Sequence, residues 1–535
     1  MGIPSYFSYI IKNYTNIIRK QASCEKIQHL LMDCNSIVYD AFRELEEEYK
    51  KTQFDISNIE ELLIEKTISK IQEYILNVSP EKTAFITFDG VAPFAKMNQQ
   101  RIRRYKTQAS ITSTPIWNTT AITPGTQFMD KLSKAVYKIF KYTKPNNLKH
   151  IQLIVSCSDE PGEGEHKLFD FIRKTDCSQD VIAVYGLDAD LIMLSIFHQQ
   201  FCNKIYVFRE APTFKTVLSC EYDKRELLFM DILGLSNSIF QEMGDYDPLD
   251  KHIRVTDYIF MCFLLGNDFL PHFPALNIRI HGMQILMDSY YQHIGRFRDR
   301  SLIHRVTKKI NWKYVGIFLT ELTKNEHRFL LKEYEIRDRM SSKSWPSKTE
   351  QDKENLLLNL PIIYRVDEKY ICPTELGWEE RYYRRLFENK PEVSQICANY
   401  QEMLQWVYNY YIGEPIDWRC KYDYDYPPLL KDLSFYLSNN LSKKEITTSP
   451  FTQTEQLMYV LPYSQLHLLP KNIMEKILSE YSDLYPKEYS FKFAFCRFFW
   501  EAHPILPTIT TLFLTHSIET HIIINMKKRG IKRVM

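Results

Sequence analysis

Four short apolar runs, each stopping on acidic or polar residues, punctuate the first part of the chain: HLLMDCN (29–35), AFITFDG (84–90), IQLIVSCSDE (151–160) and VIAVYGLDAD (181–190). Runs of this length with polar stops read as buried parallel strands. Between them lie helical spacings. In TPGTQFMDKLSKAVYKIF, Phe128, Leu132, Val136 and Ile139 recur at helical intervals, with Thr123 as the expected cap and Pro124 at the first helical position. The alternation predicts an α/β class: a mainly parallel central sheet flanked by helices, over residues 1–300 and closing after the apolar helix YIFMCFLLGNDF. A more helical, aromatic-rich region packed on it is expected over 301–520, broken by a polar surface loop at 337–355, before a basic tail at 521–535.

In sheets of this kind ligands bind beyond the carboxyl ends of the strands, where Asp33, Asp89, Asp188 and Asp190 fall. PGEGEHK adds Glu163 and Glu165, and LLGNDFLPH adds Asp268. One aspartate at a strand end is usually a cap or turn residue. Seven carboxylates in one cleft repel unless cations compensate, so the set predicts bound metal, and oxygen-only ligands point to Mg²⁺ or Mn²⁺. Two such ions, about 3.5–4 Å apart, suit hydrolysis by in-line phosphoryl displacement. Gly162 and Gly164, flanking Glu163, suggest a tight or left-handed turn at the start of a helix. Asp257 precedes Asp268 by eleven residues, nearly the same helix face; an outer-shell ligand is one reading, and a cap on the apolar helix is preferred.

Overall charge says little about partners, because 68 Lys and Arg balance 66 Asp and Glu. Locally the balance breaks. From Val91 to Met129 there is no acidic residue, yet Lys96, Arg101, Arg103, Arg104 and Lys106 are present. On a helix, Lys96, Gln100, Arg103 and Arg104 sit at roughly 0°, 40°, −20° and 80°, with Arg101 off that face. A generic basic run is a solvated face. Beside Asp89, forked guanidiniums and an ammonium suit a terminal phosphate. The 11 cysteines form no CxxC pair, which argues against a zinc knuckle and a secreted disulfide framework and for a reducing compartment. No cleavable signal peptide or membrane span is read.

The motifs MGIPSYFSYI, LLMDCN, FDGVAPFAKMNQQRIRRYK, ITPGTQFM, PGEGEHK, YGLDADLIML and FLLGNDFLPHFPAL, in this order, resemble the Xrn family of 5′→3′ exoribonucleases. A weaker likeness continues through LQWVYNYYIGEPIDW, QLMYVLP and WEAHPILP. The resemblance implies a nuclease fold related to flap endonucleases, two divalent ions, and stepwise release of nucleoside 5′-monophosphates from single-stranded RNA bearing a 5′-monophosphate. It makes Asp33, Asp89, Glu163, Glu165, Asp188, Asp190 and Asp268 the catalytic metal ligands. It makes Lys96, Gln100, Arg103 and Arg104 the 5′-phosphate pocket, too small for a cap or triphosphate. Tyr39 stands where the family has a base-stacking histidine, Trp418 is the candidate opposite partner against a buried structural role, and Phe94 replaces a usual arginine. A compact, divergent, monomeric member is implied, cytoplasmic or nuclear and without membrane attachment; its Ile, Asn, Lys and Tyr usage suits an AT-rich genome such as a virus's. Two alternatives stay open: a structure-specific DNA flap nuclease and an inactive RNA-binding scaffold.

Overall fold

The computed structural model describes residues 2–110, 115–186, 188–210, 226–244, 246–388, 390–439, 446–511 and 513–514. The tail expected at 521–535 lies outside them. The chain forms two compact units interleaved along the sequence, the first from the described residues of Met1–Leu31, Phe169–Thr447 and Phe493–Ala502, the second from those of Met32–Leu168, Thr448–Lys492 and His503–Met535.

The strands are β1 (Ile18–Lys20), β2 (His29–Asp33), β3 (Thr83–Thr87), β4 (Gln152–Ser156), β5 (Cys177–Tyr185), β6 (Cys202–Glu210) and β7 (Leu227–Asp231). The helices that matter here are α1 (Tyr6–Asn13), α2 (Asn35–Thr52), α3 (Ile59–Val78), α4 (Phe94–Ser110), α5 (Gln127–Val136), α6 (Gly164–Lys174), α7 (Ala189–His198), α8 (Ile232–Met243) and α9 (Lys251–Phe263). Later helices are given by residue range.

In the first unit the strands run in the order β1-β7-β6-β5. β5 and β6 pair parallel, as the strand–helix alternation requires. β7 lies antiparallel to both β6 and β1, so this edge departs from a purely parallel arrangement. The interior strand positions are nearly free of solvent, from Val181 through Tyr185 and from Ile205 through Phe208, which is why these segments read as continuous apolar runs rather than alternating ones. The helix YIFMCF is the second half of α9, and every residue from Ile253 to Phe263 is buried. Asp257 therefore sits inside that helix rather than capping it; its carboxylate accepts hydrogen bonds from the Tyr290 hydroxyl at 2.6 Å and the Ile303 amide at 2.8 Å. Its structural role holds, at a different position from the expected cap. A separate, aromatic-rich cluster that includes Trp378, Tyr382, Phe387, Phe495 and the aliphatic Ile396 builds the core around the helical segments of this unit.

The polar loop expected at 337–355 is mostly helix: 326–341 and 350–358 are helical, with a short connection between. Arg337 is buried, and its guanidinium donates to both oxygens of Glu368 at 3.0 and 2.6 Å. A run of polar residues suggested solvent, but a carboxylate more than thirty residues away makes burial of this charge tolerable.

In the second unit β2 is next to β3 and β3 next to β4. β3 and β4 are parallel, in register from Thr83 opposite Gln152 to Thr87 opposite Ser156. The α5 helix starts later than expected. Its cap is Thr126, whose hydroxyl accepts from the Met129 amide at 3.3 Å, and it passes into a π-helical turn over Tyr137–Thr143. Thr123 is instead buried in the preceding turn, donating to the Thr120 carbonyl at 2.6 Å. A second core joins Val91, Phe94 and Met97 to Phe451, Leu457, Tyr459, Leu466 and Ile477.

Candidate active site

β2 ends on Asp33, and Asp89 follows β3 by two residues. The Thr87 carbonyl accepts the Cys34 amide at 2.9 Å, setting the two strand ends side by side. Asn35, the first residue of α2, then contacts both aspartates. Its side-chain amide donates to Asp89 Oδ2 at 2.6 Å, its side-chain oxygen accepts the Asp89 amide at 3.2 Å, and its own backbone amide reaches Asp33 Oδ1 at 3.3 Å.

Glu163 and Glu165 arrive on the turn from β4 into α6. Gly162 has φ +102°, a left-handed conformation open chiefly to glycine. Gly164 has no such strain, but a Cβ there would stand 2.7 Å from Asp33 Oδ1 and 3.2 Å from Thr87 Oγ1. Its backbone is packed directly against the carboxylates, and its amide donates to Asp89 Oδ1 at 2.7 Å. The expected turn is present, with close approach rather than positive φ as the demand at Gly164. Ligand atoms of Glu163, Glu165 and His166 all lie within 4.8 Å of one another. Asp33, Asp89, Glu163 and Glu165 thus belong to one unit and are joined by short backbone links.

Two lysines moderate this charge. Lys96 Nζ lies 2.7 Å from Glu163 Oε2, both side chains being largely buried. Lys167 donates to the Phe88 and Cys157 carbonyls, both at 2.9 Å, which tie the ends of β3 and β4 together. Burial pushes the Lys167 pKa down, while the nearby Asp89 and Glu160 favour its charge. Glu163, Glu165 and His166, whose ligand atoms cluster, fit a divalent cation, and the carboxylates of Asp33 and Asp89 at the neighbouring strand ends are oxygen donors suited to a hard ion such as Mg²⁺ or Mn²⁺.

α4 runs beside this group with two distinct faces. Phe94, Met97, Arg101 and Tyr105 are buried. Phe94 packs on Tyr459 and Phe451 at ring separations of 4.7 and 5.7 Å, which accounts for an apolar residue at this position. Arg101 is committed elsewhere: its guanidinium donates to the Pro507 and Leu484 carbonyls at 3.0 and 3.3 Å and lies over the Tyr459 ring. It is off the basic face, as the helical angles require. On the opposite face Lys96 meets Glu163, Gln100 is buried, Arg103 is exposed and Arg104 is half-buried. Arg104 Nη2 donates to Thr123 Oγ1 at 2.5 Å. Burial lowers the Arg104 pKa to about 10, with the Arg103 charge acting the same way and Tyr39 opposing. Among the described residues Arg104 Nη1 and Gln100 Oε1 are buried without a hydrogen-bond partner. Tyr39, on α2, is half-buried.

Asp188, Asp190, Asp268 and Trp418 belong to the first unit. Asp188 is exposed at the N-cap of α7, Asp190 is buried in its first turn and accepts from the Tyr411 hydroxyl, and Asp268 is half-buried in the bend after α9. Trp418 is half-buried in a turn. Reasoning from sequence missed Asn35, Lys167 and His166. All three stood inside recognised motifs, LLMDCN and PGEGEHK, but neither an amide clasp nor a lysine bridging two carbonyls leaves a periodic signal.

Residues 1–211 match the family described as XRN 5′-3′ exonuclease N-terminus, and residues 248–369 and 365–521 match the Xrn1 helical domain. Among relatives, 5′-3′ exoribonuclease 2 of Arabidopsis thaliana is 25% identical, over 95% of this chain and 66% of its own length. The figures are 25%, 97% and 34% for 5′-3′ exoribonuclease 1 of Homo sapiens, and 26%, 91% and 41% for that of Saccharomyces cerevisiae. The chain thus spans between about one third and two thirds of the length of these relatives. A solved structure of the catalytic core of Rad2 in complex with DNA substrate overlaps 62% of this chain and 81% of its own at a TM-score of 0.34 and 14% identity. Among the described residues no helix is long and apolar enough to cross a membrane. With family matches covering most of its length, the chain belongs to the Xrn family of 5′-3′ exonucleases.

Proposed function

We propose that the protein is a 5′→3′ exoribonuclease that removes nucleoside 5′-monophosphates one at a time from single-stranded RNA carrying a 5′-monophosphate. The observation that carries this reading is the junction of α4 with the carboxylates. Lys96 contacts Glu163, while two helical turns further along the same helix Arg104 Nη1 is buried and unpartnered among the described residues. A buried guanidinium nitrogen without an acceptor is costly unless a ligand supplies one. A 5′-phosphate held by Lys96, Gln100, Arg103 and Arg104 sets the first phosphodiester near Glu163, so the enzyme counts one nucleotide from the end.

Asp33, Asp89, Glu163 and Glu165 would hold divalent cations, two Mg²⁺ or Mn²⁺ ions by family resemblance, and Asp188, Asp190 and Asp268 are further ligands on the same ground. Bound cations supply charge neutralisation and activation of water for in-line displacement. The chain's own residues do the rest: Asn35 fixes the Asp33 and Asp89 carboxylates, and Lys167 fixes the ends of β3 and β4. Tyr39 offers a flat face for a base, a sequence-tolerant contact; Trp418 is proposed in the same role. A monomer acting in RNA decay, in cytoplasm or nucleus, accords with the reading.

The test compares RNAs of one sequence bearing 5′-monophosphate, 5′-triphosphate or a cap, with a DNA flap alongside, each incubated with Mg²⁺. Rapid decay of the monophosphate RNA alone is expected. Equal decay of the three RNAs removes the phosphate pocket, and preferred flap cleavage replaces the reading with a structure-specific nuclease.

A further inference from the structure

The register of β5 against β6 jumps near its start. Cys177 is opposite Cys202 and the next pair is Val181 with Lys204, so three residues on β5 face one on β6. Bulges of this kind re-aim a side chain. Ser178 and Gln179 point to solvent, and Asp180 turns inward, 7% exposed. It meets His29 of β2, whose Nε2 is 2.9 Å from Asp180 Oδ2. Ligand atoms of His29, Cys177 and Asp180 lie within 4.8 Å of one another, and all three residues are buried. His29 Nδ1 is also buried and, among the described residues, lacks a hydrogen-bond partner. Cys202, 7% exposed, is near enough to Cys177 and Asp180 that both add to the effect of burial in pushing its thiol up to about 12. Neither cysteine is in a disulfide.

Three chemistries use such a set. A Cys–His–Asp nucleophilic arrangement needs an accessible thiol, and this one is 1% exposed. A plain His–Asp ion pair accounts for His29 and Asp180 but not for the meeting of both with Cys177. A metal ion uses all of them: thiolates and imidazole are ligands of zinc, the carboxylate is tolerated, and the hard ions preferred by the nuclease carboxylates are disfavoured by sulfur. Tetrahedral zinc places ligand atoms about 3.3–3.8 Å apart, so the three clustered groups close by a small contraction, while Cys202, opposite Cys177 in the strand register, has to turn its thiol from the His198 carbonyl to join them.

We propose that His29, Cys177 and Asp180, with Cys202 as fourth ligand, form a buried structural zinc site in the first unit, separate from the nuclease carboxylates. It clamps the bulged start of β5 to β2 and β6, and its ligands come from three segments with none of the paired spacing of a zinc knuckle.

The test uses the full chain. Protein dialysed against Mg²⁺ buffer is expected to retain one equivalent of zinc by elemental analysis. Chain refolded with Co²⁺ alone is expected to show a sulfur-to-cobalt charge-transfer band in the near ultraviolet, a signature that oxygen-only sites cannot produce. Cys177→Ser should lose both the zinc and the band, and removal of the metal should lower the melting temperature. Wild-type protein that refolds with cobalt and lacks the band overturns the proposal, as does a Cys177→Ser protein that keeps its zinc. Should Cys177→Ser fail to fold, Asp180→Asn decides: an unchanged zinc content and cobalt spectrum again count against the site.

Discussion

At the scale of single residues the candidate site depends on amides and lysines as much as on its carboxylates. Asn35 makes three hydrogen bonds with Asp33 and Asp89; Asn35→Ala keeps the backbone contact to Asp33 but removes the side-chain donor to Asp89 Oδ2 and the acceptor of the Asp89 amide. Loss of an orienting partner of this sort lowers metal affinity or activity by roughly 10–100-fold; a Mg²⁺ titration of RNA turnover should show a weaker half-saturation and a lower plateau. Arg104 is the sharpest test of the pocket. Arg104→Ala should reduce the preference for 5′-monophosphate over 5′-hydroxyl RNA by about 1.5–3 kcal/mol, the range for a charged hydrogen bond. The ratio of kcat/KM on the two RNAs measures it. Arg104→Lys should recover only part, because an ammonium lacks the fork that meets Thr123 and a phosphate together. Lys96 was legible as basic and near Asp89; that it meets Glu163 was not, because the contact depends on the pitch of α4 against the start of α6.

At the scale of elements, the turn between β4 and α6 and the two faces of α4 carry the design. Gly164→Ala brings a methyl to 2.7 Å from Asp33 Oδ1 and 3.2 Å from Thr87 Oγ1, so either Asp33 or the turn must move. Turnover should fall steeply while far-ultraviolet circular dichroism stays unchanged, and Gly162→Ala should instead lower stability through its φ of +102°. The strands and the glycine turn were readable because continuous apolar runs with polar stops and turn chemistry are written in adjacent residues. The start of α5 was not: Thr123 and Thr126 are both competent caps, and the choice fell to Thr126 once Thr123 was engaged by Arg104, nineteen positions earlier. The polar stretch at 337–355 misled for a related reason, since Arg337 is polar by composition yet buried by its pairing with Glu368.

At the scale of the whole molecule, stability should respond to pH through buried groups of the first unit that are not among the candidate site residues. Burial pushes Asp257 up to about 7 and Glu326 up to about 7, against ordinary values near 4. A carboxyl with a raised folded pKa contributes most below its unfolded pKa, and that contribution is lost as pH rises through the folded value. Wild-type stability relative to Asp257→Asn should therefore decline between about pH 4 and pH 7 and level off above, read from urea midpoints of both proteins across that range. His252, pushed down to about 4 by burial, acts in the opposite sense, its contribution being present above about pH 6.5 and lost as pH falls through 4. The wild-type profile alone is a sum of opposed slopes, and the comparison with the single variant separates them.

By itself the sequence determined the class of fold, the carboxylates at the strand ends, the basic face of one helix and membership of the family, because each is a regularity among neighbouring residues or an ordered series of motifs. Tertiary structure decided which charges are spent on packing, as with Arg101 and Arg337, and which keep a buried nitrogen without a hydrogen-bond partner among the described residues, as with Arg104. It also decided the antiparallel edge of β7 and β1, the Asn35 clasp, and the meeting of His29 with Asp180 across 151 positions. Such contacts depend on how distant segments are brought together, and no local period of the chain encodes that.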